Sequence, residues 1–542
     1  MKNKKKICFE IMAIVLIAIF CISLTPKTLQ NDTFYTIKIG EHITQNGEID
    51  MVDPFSWHEG LEYTYPHWLY DVIIYLIYSV GGMLGIYIST CVFSVLLGIA
   101  IFETNSKLTK NQVLSFVITL GAMYLLKDYI TARAQLVTFI LFTIQLYFME
   151  KLVNTSKKRY GIGLILIAIL IANLHVAVWP FMFILYLPYI AEYVIAIIEE
   201  KIAKKYGKEP KDGYKISIKR RDGTKYLIIV MIICVFTGFL TPLGTTPYTY
   251  LIKTMQGNTT QNINEHLPMT LINCEAILCV LIIFVAILTF TDTKIRLTDL
   301  LMLGGLIFLM LYSKRQSTMF VIMCSVILNR LLYSGLKKNE EDIDNKLINI
   351  STTLFGCTVI TGLVLILSLY FINPNLKTQY ISEKTYPVEM SDFILQYFEE
   401  NNIDIKSVRL YNEYNYGSYL LYRGIPVFID SRCDLYAPEY NDGRDIFMDF
   451  MKSSNLDVWF EDIFDKYKIN YVILYKNSKM NMIIQDSHLD GYELLKQDDN
   501  FVFYKLNKTE PVHNVQWAKK YQSWYKTEPV PNAQKGVIWK II

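Results

Sequence analysis

The sequence predicts a polytopic α-helical membrane protein of about eleven spans, followed by an α/β domain outside the bilayer. Three observations carry this. Of 542 residues 52% are apolar and only 19% charged, against roughly a quarter charged in soluble chains. The apolar residues are gathered into blocks between residues 7 and 371, whereas 372–542 is polar. Lys and Arg alternate between the two sides of those blocks. This composition excludes a wholly soluble enzyme, a disordered chain, a collagen-like fibre and an outer-membrane barrel. The net charge of +3 gives no reason to expect a nucleic-acid partner.

A helix crossing lipid needs about 20 apolar residues, because it must satisfy its own backbone hydrogen bonds. The candidate spans are 7–25, 83–103, 112–127, 134–149, 160–174, 177–197, 226–241, 273–291, 298–313, 317–333 and 350–371. Several are shorter than a full span and imply thinned bilayer or longer helices. The segments assigned to the inside hold 25 Lys or Arg and the short outer loops seven, the bias that fixes orientation. The N-terminus is then cytoplasmic and the C-terminal domain extracytoplasmic. Lys2 to Lys6 before an apolar run resemble a signal peptide, but Leu24-Thr25-Pro26-Lys27 lacks a small-x-small cleavage site. The first span therefore reads as a retained anchor. Most of the nine Cys fall in spans, and Cys433 alone lies in the tail, so no disulfide holds that domain.

The first outer loop, 26–66, carries seven acids against Lys27 and Lys38, with His42 and His58. All seven histidines, including His67, His175, His266, His488 and His513, fall on the outer side. Acids and histidines avoid lipid, which explains part of this. Residues 67–80 place Trp68, Tyr70, Tyr75 and Tyr78 among aliphatic residues, as in a helix lying in the interface. Gly81-Gly82 then breaks it. An acidic loop beside such a helix forms a floor where a lipid headgroup meets a water-facing carboxylate.

The order Asp32-Thr33, Gly40, Gly47-Glu48, Asp53-Pro54, Glu59-Gly60, Tyr65-Pro66-His67 and Gly82 resembles the first outer loop of GT-C superfamily glycosyltransferases. Members of the protein-O-mannosyltransferase and aminoarabinose-transferase type open that loop with an acidic pair and close it with a His-Pro-Pro-like turn. Here the pair reads Asp32-Thr33 and the turn Tyr65-Pro66-His67. The chain is also similar to bacterial integral-membrane proteins of glycosyltransferase-like type. The likeness lies in Ala132-Arg133-Ala134-Gln135, Asn173-Leu174-His175, Lys314-Arg315-Gln316, Tyr386-Pro387-Val388 and the block from Tyr416 to Arg432. Together these motifs cover most of residues 7–506.

The resemblance implies a transferase that takes a sugar from a polyprenyl-phosphate donor to a cell-envelope acceptor on the outer face. Such chemistry needs a carboxylate to deprotonate the acceptor. Asp32, about seven residues past the first span, is the first choice and Asp53 the second; a helix cap or a solvated loop acid is the competing reading. The leaving phosphate needs cations, and a planar guanidinium suits it. Arg133 and Arg315 lie at outer ends of spans against the positive-inside trend, with snorkelling or ion pairing as the alternative. His67 and His175 are further substrate-binding candidates, His175 being read more readily as a structural histidine. His42 and His58 lack the spacing of a metal site, so the cofactor is unknown and a divalent metal stays open.

Residues 372–506 read as an α/β domain. Helices are expected at 388–401, 443–453 and 457–468, and strands at 407–412, 426–430 and 471–475, with a hairpin at 492–497 and 501–506. Asp430, Arg432 and Asp434 follow a buried-looking strand, where such domains place ligand groups; an Asp–Arg pair that shapes the loop is the other reading. Residues 507–542 form an extension without periodicity, and 1–371 form the transmembrane domain. The inner segment 199–225, with ten basic and five acidic residues, sets topology and contacts anionic lipid. A transporter or flippase of lipid-linked sugars and a non-catalytic envelope assembly protein are the competing classes. The absence of repeated halves with broken helices and the acidic first loop favour an enzyme.

Overall fold

The computed structural model describes residues 2–507 except 208–212, 258, 338–342, 487, 488 and 490. The extension 508–542, with His513, and His488 lie outside the described residues. Each apolar stretch falls on a helix, but the helices differ in reach. Among the described residues six are long and apolar enough to cross a membrane: Lys4–Leu24, Trp68–Thr109, Ala134–Thr155, Val176–Lys205, Lys314–Leu336 and Leu354–Leu376. Thr224–Phe239, Glu275–Phe290 and Leu297–Tyr312 are apolar but shorter, and Val113–Leu126 has 14 residues. At 1.5 Å per residue a helix of that length rises about 21 Å, less than the hydrocarbon core of about 30 Å. Among the described residues, length and composition alone thus single out six of the eleven expected spans, and the other five fall on shorter helices.

We number the first six helices α1 (Lys2–Leu24), α2 (Asn31–Asn46), α3 (Trp68–Thr109), α4 (Val113–Leu126), α5 (Ala134–Thr155) and α6 (Lys158–Leu174). Helix α2 corrects the sequence reading, which left 26–66 as a loop. Its apolar residues are spaced for a helix wedged between two partners, and Asp32 in its first turn complements the helix dipole. One face meets the tail, where Phe34 is fully buried between Tyr386 and Tyr419, with ring centroids at 5.0 and 5.1 Å. Another face meets α3, and Gly40 makes that approach possible. A Cβ built there would lie 2.1 Å from the Asp71 carbonyl oxygen and 2.6 Å from the Tyr75 Cβ. Helix α3 bends at Gly82, where φ is 58° and ψ −150°, a backbone open to glycine without strain.

The two ends of the helical body differ. At the end holding the N-terminus, Lys6 pairs with Asp344 at 3.2 Å and Gln112 reaches Glu10. There Asn105, Asn111 and Asn329 are buried and bonded to one another at 3.0–3.1 Å. Nearby, Arg296 and Arg330 both bridge Glu150 and Asp299. In lipid such polar contacts fix helix register, at roughly 0.6–2 kcal/mol each. The opposite end carries α2 and the tail.

The tail is a four-stranded mixed sheet with helices packed against it. Leu410–Tyr411 runs parallel to Tyr471–Tyr475, which pairs antiparallel with Phe501–Leu506 and so leads to Tyr492–Gln497. The helices Val388–Glu400, Ile446–Asn455 and Phe460–Tyr467 lie close to the expected ranges. Two features differ. Residues 426–430 join no strand of the sheet, because Val427 forms an isolated bridge to Ser56 of the first loop instead. A helix at Tyr414–Tyr422, unforeseen in the sequence, packs its aromatic face on α2. The tail is further fastened by the Trp57 indole donating to the Leu410 carbonyl at 2.9 Å and by His58 Nε2 donating to Phe428 at 2.8 Å.

Candidate active site

Local sequence sets the site from three turns. The Asn173-Leu174-His175 segment ends α6, and the Val176 amide donates to the Pro66 carbonyl at 2.8 Å. The Trp68 indole donates to Asn173 Oδ1 at 3.3 Å. These bonds bring the His175 turn against the Tyr65-Pro66-His67 turn, with ring centroids of the two histidines 6.3 Å apart. Arg133 stands at the N-cap of α5, and the Thr33 hydroxyl of α2 donates to the Ala132 carbonyl. Arg315 lies in the short turn Lys314–Gln316.

These turns and the tail enclose a cavity of about 940 Å³ lined by Asp32, His67, Arg133, His175 and Arg315. Five of the six residues marked in the sequence are therefore brought together. Asp53, the sixth, does not line it. Its carboxylate lies in a fully buried pair with Arg432 at 2.7 Å and also receives the Phe55 and Ser56 amides. Burial pushes the Asp53 carboxyl up, but Arg432 and the Ser56 hydrogen bonds outweigh it and hold it below the usual carboxylate range. Arg432 is shared with Asp430, whose Oδ2 also accepts from Tyr436 at 2.6 Å. The Asp–Arg pair therefore shapes the loop after residue 430 and ties the first loop to it.

The two cavity arginines are in different states. Arg133 donates through Nε to Asp32 Oδ2 at 2.6 Å, through Nη2 to the same oxygen, and through Nη1 to Glu265 at 3.0 Å. Arg315 makes no ion pair among the described residues; its backbone amide donates to the Glu265 carbonyl at 3.0 Å. Burial pushes the Glu265 carboxyl up, but the Arg133 and Arg315 guanidiniums outweigh it and hold it below its ordinary value. Beside it, burial and then Arg315 pull His266 down to about 4. Arg133 is thus paired with two carboxylates, whereas Arg315 forms no ion pair among the described residues.

Glu265 belongs to the polar, turn-rich stretch 242–272. It joins both halves: Tyr250 donates to Asp434 and Thr254 meets Tyr440 at 3.0 Å, while Glu265 holds Arg133. Asp434 is buried, which raises its carboxyl despite the Tyr250 bond. Glu413, another lining residue, is pushed up to about 7 by burial. Sequence reasoning missed Glu265, Glu413 and Tyr35. The first two sit in segments without local signal, and the third needed α2 to be recognised as a helix, which puts Tyr35 one turn from Asp32. Among the described residues no group of three or more His, Cys, Asp or Glu side chains is placed to hold a metal ion.

An α-helical membrane body with a cavity at one end, lined by charged and apolar side chains and roofed by an α/β tail, defines the architectural class. No protein-family model and no curated protein matches the sequence. Among solved structures, the chain is similar to the Archaeoglobus fulgidus oligosaccharyltransferase tethered with an acceptor peptide containing the NVT sequon. The match has 11% identity and a TM-score of 0.51, covering 92% of this chain and 74% of that one. The apo form of that enzyme also matches, at 11% identity and a TM-score of 0.42, covering 86% of this chain and 69% of that one. At this identity the first likeness shows the fold alone: the chain shares its overall architecture with that oligosaccharyltransferase.

Proposed function

We propose that the protein is a membrane glycosyltransferase of the GT-C type, moving a sugar from a polyprenyl-phosphate-linked donor to a cell-envelope acceptor. One observation carries the reading: Asp32, Arg133 and Arg315 line one cavity at the tail end of the helical body. A donor of this class presents a phosphate that becomes more negative as its bond to the sugar breaks. Guanidiniums fixed beside it stabilise that charge more in the transition state than in the ground state. Arg315, which forms no ion pair among the described residues, serves this task. Arg133 is held by Asp32 and Glu265, ready to exchange part of that pairing for the phosphate. Asp32 binds Arg133 through Oδ2, leaving Oδ1 to take the acceptor's proton as general base. His175, whose Nδ1 lies 3.0 Å from the Thr138 hydroxyl, and His67 line the substrate side. Asp53 serves the frame through Arg432. On this reading the cavity faces the extracytoplasmic side, the N-terminus is cytoplasmic, and the roof is the 372–506 domain.

The test is reconstitution in bacterial lipid vesicles with polyprenyl-phosphate sugars and a panel of envelope acceptors, comparing wild type with Asp32→Asn. A fall of about 10²–10⁴-fold in turnover is expected for loss of the base. Full transfer by that variant would sink the assignment. Lipid-sugar translocation without transfer by the wild type would replace the enzyme by a flippase.

A further inference from the structure

One wall of the cavity carries a chain of hydrogen bonds whose direction is set by a buried charge. Asp71 lies one helical turn below His67 and is fully buried, and both its oxygens lie 2.8–2.9 Å from His67 Nδ1. With Asp71 as the carboxylate and the imidazole neutral, His67 Nδ1 carries the proton and its Nε2 keeps a lone pair. That nitrogen lies 3.2 Å from the Tyr35 hydroxyl, which must therefore donate to it. The phenol proton is thereby committed inward, and the Tyr35 oxygen, which lines the cavity with His67, has only lone pairs to offer a ligand. The arrangement is held from both sides. Tyr35 stacks on His67 at 5.8 Å, and Gly40 lets α2 lie against the Asp71 carbonyl. Proton-inward chains of this kind polarise one another, which strengthens the terminal acceptor.

We infer that the Tyr35 oxygen is a binding point for a sugar hydroxyl, and that His67 and Asp71 are positioning residues that fix its polarity. The inference rests on the glycosyl-transfer reading and deepens it, because Tyr35 stands one turn from Asp32 on α2. The hydroxyl belongs either to the transferred sugar or to a carbohydrate acceptor; both present the same donor group. A ligand that lacks this hydroxyl leaves the oxygen unpaired in a largely buried place, which costs about tenfold in affinity. Asp71→Asn lets an amide proton face the imidazole, frees the tautomer and allows the chain to reverse, so discrimination falls with the ligand contacts otherwise intact.

The experiment measures equilibrium binding by tryptophan fluorescence and transfer kinetics for the full chain in lipid nanodiscs. The probes are polyprenyl-phosphate hexoses and free methyl hexosides, each with its series of monodeoxy analogues. Wild type should bind a parent sugar about tenfold better than one of its deoxy analogues. A preference confined to the lipid-linked series assigns the hydroxyl to the donor, and one confined to the hexosides assigns it to the acceptor. Tyr35→Phe and Asp71→Asn should equalise parent and analogue, raising KM for that substrate alone while kcat stays within about threefold. Asp71→Glu should restore part of the preference, which a merely structural loss would not allow. Equal affinities of wild type for every parent and analogue would overturn the inference, as would Tyr35→Phe with its preference intact. Selective binding without any transfer sinks the transferase reading and leaves the hydroxyl site standing; transfer without discrimination does the reverse.

Discussion

Replacement of Arg432 by Met tests the frame beneath the cavity. The Arg432 side chain is 1% exposed, and Asp53 and Asp430, its two partners, are 0% exposed. Removing one partner of a buried pair costs about 3–5 kcal/mol, because the remaining charge is uncompensated. Here two carboxylates are stranded, and each can escape by taking a proton. From an ordinary carboxylate value near 4, protonation at pH 7.5 costs roughly 5 kcal/mol, which caps the loss per acid. The guanidinium also lies over the Phe55 and Tyr63 rings at 5.4 and 5.0 Å, contacts that Met replaces in part. A destabilisation of about 4 kcal/mol, a thousandfold in local opening, is expected. Hydrogen exchange in lipid nanodiscs reads it at the Asp53, Trp57 and Tyr63 amides, which bond Leu61, Val427 and Met51. Adding Asp53→Asn should recover roughly 1–3 kcal/mol, since one stranded charge disappears. Exchange within about threefold of wild type would refute the reasoning. If Asp53→Asn alone abolished transfer while protection persisted, Asp53 would belong to the chemistry rather than the frame.

Other outcomes follow from the same geometry. Arg315→Gln should raise the donor KM by about 10–100-fold, the worth of a charged hydrogen bond, and weaken inhibition by inorganic phosphate; an unchanged KM would remove Arg315 from the donor site. Gly40→Val places a side chain where a Cβ already lies 2.1 Å from the Asp71 carbonyl oxygen, so a lowered Tm, about 1–3 kcal/mol of destabilisation, and loss of sugar discrimination should appear together. His58, which burial holds neutral down to about 4, takes a proton near 6.5 once unfolded. Its stabilising effect is thus complete above about 6.5 and is lost as the pH falls towards 4. The stability gap between wild type and His58→Gln should shrink by about 2 kcal/mol from pH 7.5 to 5. Glu413, with its carboxyl raised to about 7, acts in the opposite direction and cancels in that comparison; a gap independent of pH would contradict the assignment.

Much of this molecule was legible one segment at a time. Apolar length marked the long helices of the body, and strands were expected at Tyr471–Tyr475 and in the hairpin Tyr492–Gln497 with Phe501–Leu506, their observed bounds. These signals are local, set by periodicity within a dozen residues. Asp32, Arg133, Arg315, His67 and His175 were marked by residue type and position at span ends, and they share a cavity. Helix α2 escaped notice because its polar residues suit a loop; it is helical through what it packs against, Phe34 on the tail and Gly40 on α3.

The sequence by itself determined the membrane character, the polar tail and the set of charged residues placed against the inside-positive trend. Tertiary structure decided how each charge is used. Asp53 and Asp32 are both acids of the first loop, yet one is buried against Arg432 and the other meets Arg133 at a cavity wall. Tyr35 gained its directed oxygen only when Asp71, 36 positions along the chain, came to lie behind His67. Charge and hydrogen-bond direction depend on neighbours in space, whereas helix formation and lipid solubility depend on neighbours in sequence.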